Sequence, residues 1–306
     1  MSFEFNHLPV MPEEVIKGLN IKPDGLYFDG TLGGAGHSKL ILQRLTTGEL
    51  IGVDRDADAL AAAKERLAEF APRVTFVHDN FENIKAIAGE RRLDGVLLDL
   101  GVSSFQLDTA ERGFSYMQNA RLDMRMNREQ ELSAFDVVNG YSADKLTQII
   151  RDYGEEHQAG RIARAIVNQR EHGPIETTLQ LSDIVRTVLP TYRDPHPEKR
   201  TFQAIRIEVN RELEVITPTI DDAISCMKSG GRIAVITFHS LEDRLTKQAF
   251  ARNAKGCICP PEIPVCVCNK KPLGFAVNKK PIVAGEEELK QNKRSASAKL
   301  RIFEVY

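Results

Sequence analysis

The sequence predicts an α/β protein, an open and mostly parallel sheet of alternating strands and helices interrupted by an all-α insertion. Three observations predict it. Short apolar runs ending on acidic or polar residues alternate with helical periodicity from residue 26 to about 100, and the alternation resumes at residue 231. A glycine-rich turn, Asp29-Gly-Thr-Leu-Gly-Gly-Ala-Gly36, joins the first strand to its helix. From Ser133 to about Arg200 every strong segment is helical and none reads as strand.

Met11 to Leu19 reads as a short helix with Pro12 at its first position, where a missing N–H costs nothing. Pro23-Asp24-Gly25 turns the chain into a buried strand that runs through Leu26, Tyr27 and Phe28 to Asp29. The glycines at 30, 33, 34 and 36 form a tight turn where backbone can approach a ligand. Ser38 is the expected cap of the next helix, whose apolar face is Leu40, Ile41, Leu42 and Leu45. A second strand, Glu49 to Val53, ends on Asp54, where an open α/β sheet places the carboxylate that grips a ribose. Asp56 caps an alanine-rich helix, and Val74 to Val77 is the third strand. Phe81, just past that strand, stacks on an adenine in one reading and staples the next helix in the other. The fourth strand, from Leu93, places Asp99 beside the same crevice.

The pattern then changes. From Gln106 to Arg128 the chain is loop-like, with Arg112, Arg121, Arg125 and Arg128 interleaved with Phe114, Tyr116 and three methionines. Arginine with aromatics suits a splayed single-stranded nucleotide, and a partly buried structural loop is the alternative. In the insertion, Ser142 caps a helix carrying Leu146, Ile149 and Ile150, and Gly154 ends it. Further apolar stripes follow at 162–167 and 179–188. A loop at 193–200 and a helix from about Thr201 lead back. Thr217-Pro218 caps a last helix expected to stop at Gly230-Gly231. Gly231 to Phe238 is a fifth buried strand ending at His239-Ser240, and the alternation from Ala298 to Tyr306 suggests a final antiparallel strand. The domains are accordingly 1–132 with 205–306, and 133–204.

The ligand is narrowed by what the glycine turn lacks. A dinucleotide fingerprint starting at Gly34 and Gly36 requires a third glycine at position 39, which is Lys. An acid directly ahead of the glycines, Asp29, suits a cationic ligand better than a pyrophosphate. S-adenosylmethionine carries a sulfonium, an ammonium and a ribose diol, and no phosphate. A methyltransferase of the Rossmann-like class is therefore the favoured reading, ahead of an NAD-dependent dehydrogenase and a non-catalytic RNA-binding protein. A βαβ unit with an ordinary glycine turn is the alternative without a ligand.

The chain of 306 residues carries a net charge of −2, unevenly spread. From Asp243 onward thirteen Lys and Arg face six acids, leaving −9 for residues 1–242. Such a basic tail is either a footprint for nucleic acid or a solvated face. No apolar run reaches the roughly 18 residues that cross a membrane, and the first residues lack a signal-peptide pattern, so a cytoplasmic location is expected. Five cysteines fit that expectation: four of them, Cys257, Cys259, Cys266 and Cys268, crowd into twelve residues as two Cys-x-Cys pairs around a proline-rich loop. The grouping suggests a tetrahedral zinc site clipping the basic loop at Lys270 and Lys271, or a reduced, packed hairpin.

Longer motifs add a resemblance. Asp-Gly-Thr-Leu-Gly-Gly-Ala-Gly-His-Ser at 29–38, Leu-Leu-Asp-Leu-Gly-Val-Ser-Ser at 97–104 and Gln-Leu-Asp at 106–108 resemble the RsmH (MraW) family. So do Arg-Gly-Phe-Ser-Tyr at 112–116, Leu-Asp-Met-Arg-Met at 122–126, Arg-Thr-Phe-Gln-Ala-Ile-Arg at 200–206 and Phe-His-Ser-Leu-Glu-Asp-Arg at 238–244. The resemblance implies an enzyme that methylates the exocyclic N4 of a cytidine in the decoding region of 16S ribosomal RNA, with the RNA or the assembling small subunit as partner. It also implies a Rossmann-like, class I S-adenosylmethionine-dependent methyltransferase sheet with a helical insertion that recognises the substrate. By position, Ala35, Gly36 and His37 would contact the methionine part of the cofactor, Asp54 its ribose and Phe81 its adenine, with Asp99 and Gln106 completing the pocket. Amino methyltransferases that act on DNA commonly place Asp or Asn followed by Pro-Pro-Tyr after the fourth strand. Here Asp99-Leu100-Gly101-Val102 stands there, without the stacking aromatic. Asp99 is thus either the acceptor for N4 or a cofactor ligand, with Ser103, Ser104 and His239 as other candidates. The clustered cysteines are no part of the resemblance.

Overall fold

The computed structural model describes residues 9–189, 195–257, 259, 265 and 267–306. It divides into two compact units, Met1–Gly101 with Leu213–Tyr306, and Val102–Glu212. The first unit opens with helix α1 (Pro12–Leu19) and continues as strand β1 (Leu26–Asp29), α2 (Gly36–Leu42), β2 (Glu49–Asp54), α3 (Ala57–Arg66), β3 (Val74–His78), α4 (Ile84–Ala88) and β4 (Leu93–Asp99). All neighbouring pairs among these four strands are parallel. Each strand returns through a helix, as a parallel ladder requires.

One expectation fails here. Ser38 does not cap α2: the helix starts two residues earlier, with Ala35 at its N-cap in the left-handed region (φ 57°). The Ser38 hydroxyl is buried and donates instead to Asp29 Oδ2 at 2.6 Å. The turn itself curls into the helix, which frees the serine for the strand-end acid.

The second unit holds α5 (Ser104–Asp108), α6 (Ala134–Gly140), α7 (Ala143–Asp152), α8 (Ala159–Arg170), α9 (Thr178–Val188) and α10 (Lys199–Asn210). Its limits are wider than the expected 133–204 because the preceding loop belongs to the same core. Phe114, Leu122, Met124 and Met126 are buried in one cluster with Leu146, Ile149, Ile162 and Phe202. Asn210 on α10 ties that loop down, accepting from Met126 N–H and donating to Met124 O, both at 2.8 Å. Two arginines of the expected nucleotide grip are likewise structural. Arg112 is 1% exposed and donates to the carbonyls of Arg125 and Met126 at 3.0 Å. Arg125 grips Asp123 through two nitrogens, at 2.9 and 2.8 Å. Apolar neighbours bury much of this loop, and Arg112 and Arg125 satisfy its backbone carbonyls, whereas Arg121 and Arg128 are exposed.

The chain returns to the first unit as α11 (Ile216–Cys226), β5 (Met227–Thr237), α12 (Ser240–Ala254), β6 (Gly274–Ala276), α13 (Glu286–Gln291) and β7 (Lys299–Val305). Thr217 and Pro218 lie inside the first turn of α11 rather than capping it, where the proline removes an N–H with no helical partner. Nor do Gly230 and Gly231 stop the helix. β5 starts at Met227, and the register jump from Leu93↔Met227 to Gly95↔Arg232 puts both glycines in a bulge within the strand. β6 and α13 lie in a stretch whose polar, basic composition masked them. The completed sheet runs β3-β2-β1-β4-β5-β7-β6, with β7 antiparallel to both neighbours.

Both faces of the sheet are covered, which is why its strands read as continuous apolar runs. Phe28, Ile51, Val53, Val96, Leu98 and Val235 pack on one side. Their chain neighbours Tyr27, Leu50, Leu97, Ala234 and Ile236 pack on the other. The alternation is the pleat of the strands expressed as two cores. Among the described residues no helix is long and apolar enough to cross a membrane.

Candidate functional site

β1 and β4 are neighbours at the centre of the sheet, where the strand order reverses, and there an open α/β sheet leaves its ligand crevice. Asp29 ends β1 and Asp99 ends β4. Asp29 is 1% exposed. It accepts from the Ser38 hydroxyl at 2.6 Å and from Thr31 N–H at 3.1 Å. Burial raises its carboxyl to about 6, with those bonds opposing and the Asp54 charge assisting the rise.

Asp99 is held through its backbone, whose N–H donates to Thr31 Oγ1 at 2.6 Å. Its side chain is 26% exposed, yet Oδ1 is buried with no hydrogen-bond partner among the described residues. Burial first, then the charges of Asp29 and Glu242, push the carboxyl up to about 8. The His37 imidazole lies 3.8 Å from Asp99 Oδ2. Both of its ring nitrogens are buried without a partner among the described residues, and burial holds it down to about 4. Burial thus favours the neutral form of both groups, and an arriving cation would shift Asp99 towards its ionised form while leaving the imidazole neutral.

The glycine loop is held close to these groups. A Cβ on Gly30 would come within 2.7 Å of Leu98 Cδ2 and 2.8 Å of Phe81 Cβ, so only glycine fits where the ends of β1 and β4 meet Phe81. Phe81 opens a short 3-10 turn after β3 and is half-buried. Ala35 is fully buried in its left-handed conformation, a strained placement for a residue with a Cβ. Asp54 at the end of β2 accepts from Gly33 N–H at 2.7 Å and from Asp56 N–H at 2.9 Å. Burial raises its carboxyl despite those two bonds. Each carboxylate oxygen has room for a further donor.

The first unit therefore brings Ala35, Gly36, His37, Asp54, Phe81 and Asp99 to the carboxyl ends of its central strands. His239 follows β5 and caps α12, accepting from Glu242 N–H at 3.4 Å. Gln106, Ser103 and Ser104 belong to the second unit. There Ser103 and Gln106 form a capping box on α5: Gln106 Oε1 accepts from Ser103 N–H at 3.0 Å and Gln106 N–H donates to Ser103 Oγ at 3.2 Å. Three contributors were missed. Glu242 is 1% exposed, accepts from Phe238 N–H at 2.7 Å and adds to the field on Asp99. Its signal was the His-x-x-Glu capping pattern just past a strand. Thr31 braces both strand-end acids, and Arg66 on α3 donates to Gly34 O at 2.7 Å, anchoring the glycine loop. Arg193, Asp194 and Cys266 lie outside the described residues.

A model of the MraW methylase family matches residues 4–306. Ribosomal RNA small subunit methyltransferase H of Clostridioides difficile is 56% identical over 98% of this chain and 99% of its own length. The proteins of the same name from Lachnospira eligens and Clostridium botulinum (strain Kyoto) are 54% and 52% identical, each over 98% of both chains.

Proposed function

Because the chain belongs to the MraW methylase family, we propose that it is an S-adenosylmethionine-dependent methyltransferase of small-subunit ribosomal RNA. Its target is the exocyclic N4 of a cytidine in the decoding region of 16S RNA. The observation that carries the cofactor reading is the pair of strand-end acids, Asp29 and Asp99, together with Asp99 Oδ1 and both ring nitrogens of His37, which are buried without a hydrogen-bond partner among the described residues. A crevice lined by strand-end acids suits a ligand bearing a sulfonium and an ammonium better than one bearing phosphates.

When bound, S-adenosylmethionine supplies an electrophilic methyl group on sulfur. Ala35, Gly36 and His37 line its methionine portion, and the Asp54 carboxylate accepts from the ribose diol. Phe81 offers its ring to the adenine. Cytosine N4 is a poor nucleophile because its lone pair is delocalised into the ring. Its acceleration must come from alignment, which contributes roughly 7 to 11 kcal/mol when well oriented, and from an acceptor for the amino hydrogens. Asp99 is our candidate acceptor: it ends β4 at the crevice, its buried Oδ1 has no hydrogen-bond partner among the described residues, and the cofactor's positive charge would favour the ionised carboxylate that can accept from the amino group. The cytidine must also leave its stack, at a cost of a few kcal/mol. We assign recognition of the surrounding RNA to the helical second unit, and a supporting electrostatic role to the basic tail.

The test is incubation with methyl-labelled S-adenosylmethionine and small ribosomal subunits lacking the modification, followed by nucleoside analysis. N4-methylcytidine is the expected product. Label in another nucleoside overturns the N4 assignment. Tight NAD binding without transfer supports the dehydrogenase, and cofactor binding without transfer to any RNA supports a non-catalytic role.

A further inference from the structure

The methyl-transfer reading makes no use of the thiols between α12 and β6. Cys257, Cys259 and Cys268 bring their sulfur atoms within 4.8 Å of one another. Cys257 Sγ and Cys268 Sγ lie 3.9 Å apart, far beyond the ~2.05 Å of a disulfide. In a tetrahedral zinc site with Zn–S near 2.3 Å, neighbouring sulfurs lie about 3.8 Å apart, so this pair already stands at the spacing of a tetrahedral edge.

The backbone is arranged for anionic sulfur as well. Cys259 N–H donates to Cys257 Sγ at 3.4 Å, and Val267 N–H donates to Cys259 Sγ at 3.4 Å. Such bonds around ligating atoms orient them and stabilise thiolate charge. The base of the segment is pinned independently of the sulfurs. Leu273 N–H donates to Asn253 O at 2.9 Å, and Lys270 Nζ reaches Arg252 O at 2.8 Å. Among the described residues of the segment, Val265 and Val267 are 71% and 70% exposed, so these two side chains contribute nothing to packing. A metal needs only the sulfurs.

We propose that Cys257, Cys259 and Cys268 bind a zinc ion as thiolates, forming a structural clip that closes the loop between α12 and β6. Cys266 stands two positions before Cys268, as Cys257 stands before Cys259, and the proposal rests on the three described thiols. Three thiolates fill three corners of the tetrahedron and a further donor completes it; the methyl-transfer reading makes no use of the metal, so the two stand apart.

Elemental analysis of full-length protein purified without chelator tests it, together with cobalt(II) exchange followed by absorption. About one zinc per chain is expected, with the sulfur-to-cobalt charge-transfer and intense visible bands of a tetrahedral thiolate site. The double variant Cys257→Ser/Cys268→Ser should lose both, and Cys226→Ala, which changes the buried cysteine of α11, should keep both. Should the double variant fail to fold, the wild-type cobalt spectrum alone decides. Wild-type protein that holds no zinc and shows no charge-transfer band on cobalt addition overturns the proposal. So does thiol titration revealing a Cys257–Cys268 disulfide.

Discussion

At the scale of single residues, the strand-end acids carry the predictions. Asp54 already accepts two backbone N–H groups, so Asp54→Ala removes a loop brace as well as the acceptor for a ribose diol. Charge-assisted bonds contribute about 1.5 to 3 kcal/mol each, and 1.4 kcal/mol is tenfold in affinity. Cofactor binding by calorimetry should weaken at least ~10-fold in that variant, and unchanged affinity refutes the assignment. Asp99 sets a pH dependence whose sign follows from its surroundings. Its carboxyl stands at about 8 in the free protein against an ordinary 3.8, and Asp29 stands at about 6. A bound cation favours the ionised forms and lowers both values, so binding below pH ~8 expels a proton. Affinity should fall as pH falls through about 8, and more steeply below about 6. Asp99→Asn should flatten the upper segment. In the ligand-free protein the same raised carboxyl favours the fold at low pH, and its contribution is lost as pH rises from about 4 to about 8. His37, pushed down to about 4, acts oppositely: its contribution is present above about 6.5 and lost as pH falls towards 4. These carboxylates were legible in the sequence because an acid at the end of an apolar run is a local pattern. Glu242 was not, since its importance arises from where α12 begins relative to β4.

At the scale of elements, periodicity marked the parallel strands and the helices of the insertion, because both repeat over several residues. Caps and stops were less legible, since one hydroxyl has several possible partners: Ser38 turned to Asp29, and Gly230-Gly231 became a bulge. The loop from Arg112 to Met126 shows how composition misleads, because arginines that satisfy buried carbonyls have the same letters as arginines that grip phosphate. Gly113 tests how tightly that loop is built. It sits at φ 71°, and a Cβ there would lie 2.4 Å from Arg121 O and 2.9 Å from Asp123 N. Gly113→Ala should cost at least about 1 to 3 kcal/mol from the left-handed backbone alone, with overlap adding to it. Thermal denaturation should show this as a clear drop in Tm, and an unchanged Tm would mean that the loop yields easily.

At the scale of the whole molecule, two compact units, each with core packing of its own, predict two transitions in calorimetry. Ile150→Ala, in the second unit, should lower one transition and Val235→Ala, in the sheet, the other, each by about 2 to 5 kcal/mol. A single transition shifted alike by both changes would show one cooperative unit. The basic tail makes a separate claim: Lys279, Lys280, Lys293 and Arg294 are all exposed. Neutralising them should flatten the dependence of log RNA affinity on log salt, because fewer counterions are released. An unaltered slope makes the tail a solvated face. The sequence changes period near residue 133, whereas the compact units divide at 101 and 213, positions set by which core the intervening loop joins. The pairing of β4 with β5 has a consequence for biosynthesis. Strands β1 to β4 emerge from the ribosome first, yet the open edge of β4 waits for Met227–Thr237, behind all of residues 102–212. A nascent chain therefore carries an apolar, unpaired central edge while the entire second unit is translated, which makes this interval its period of greatest exposure to misassembly and to chaperones.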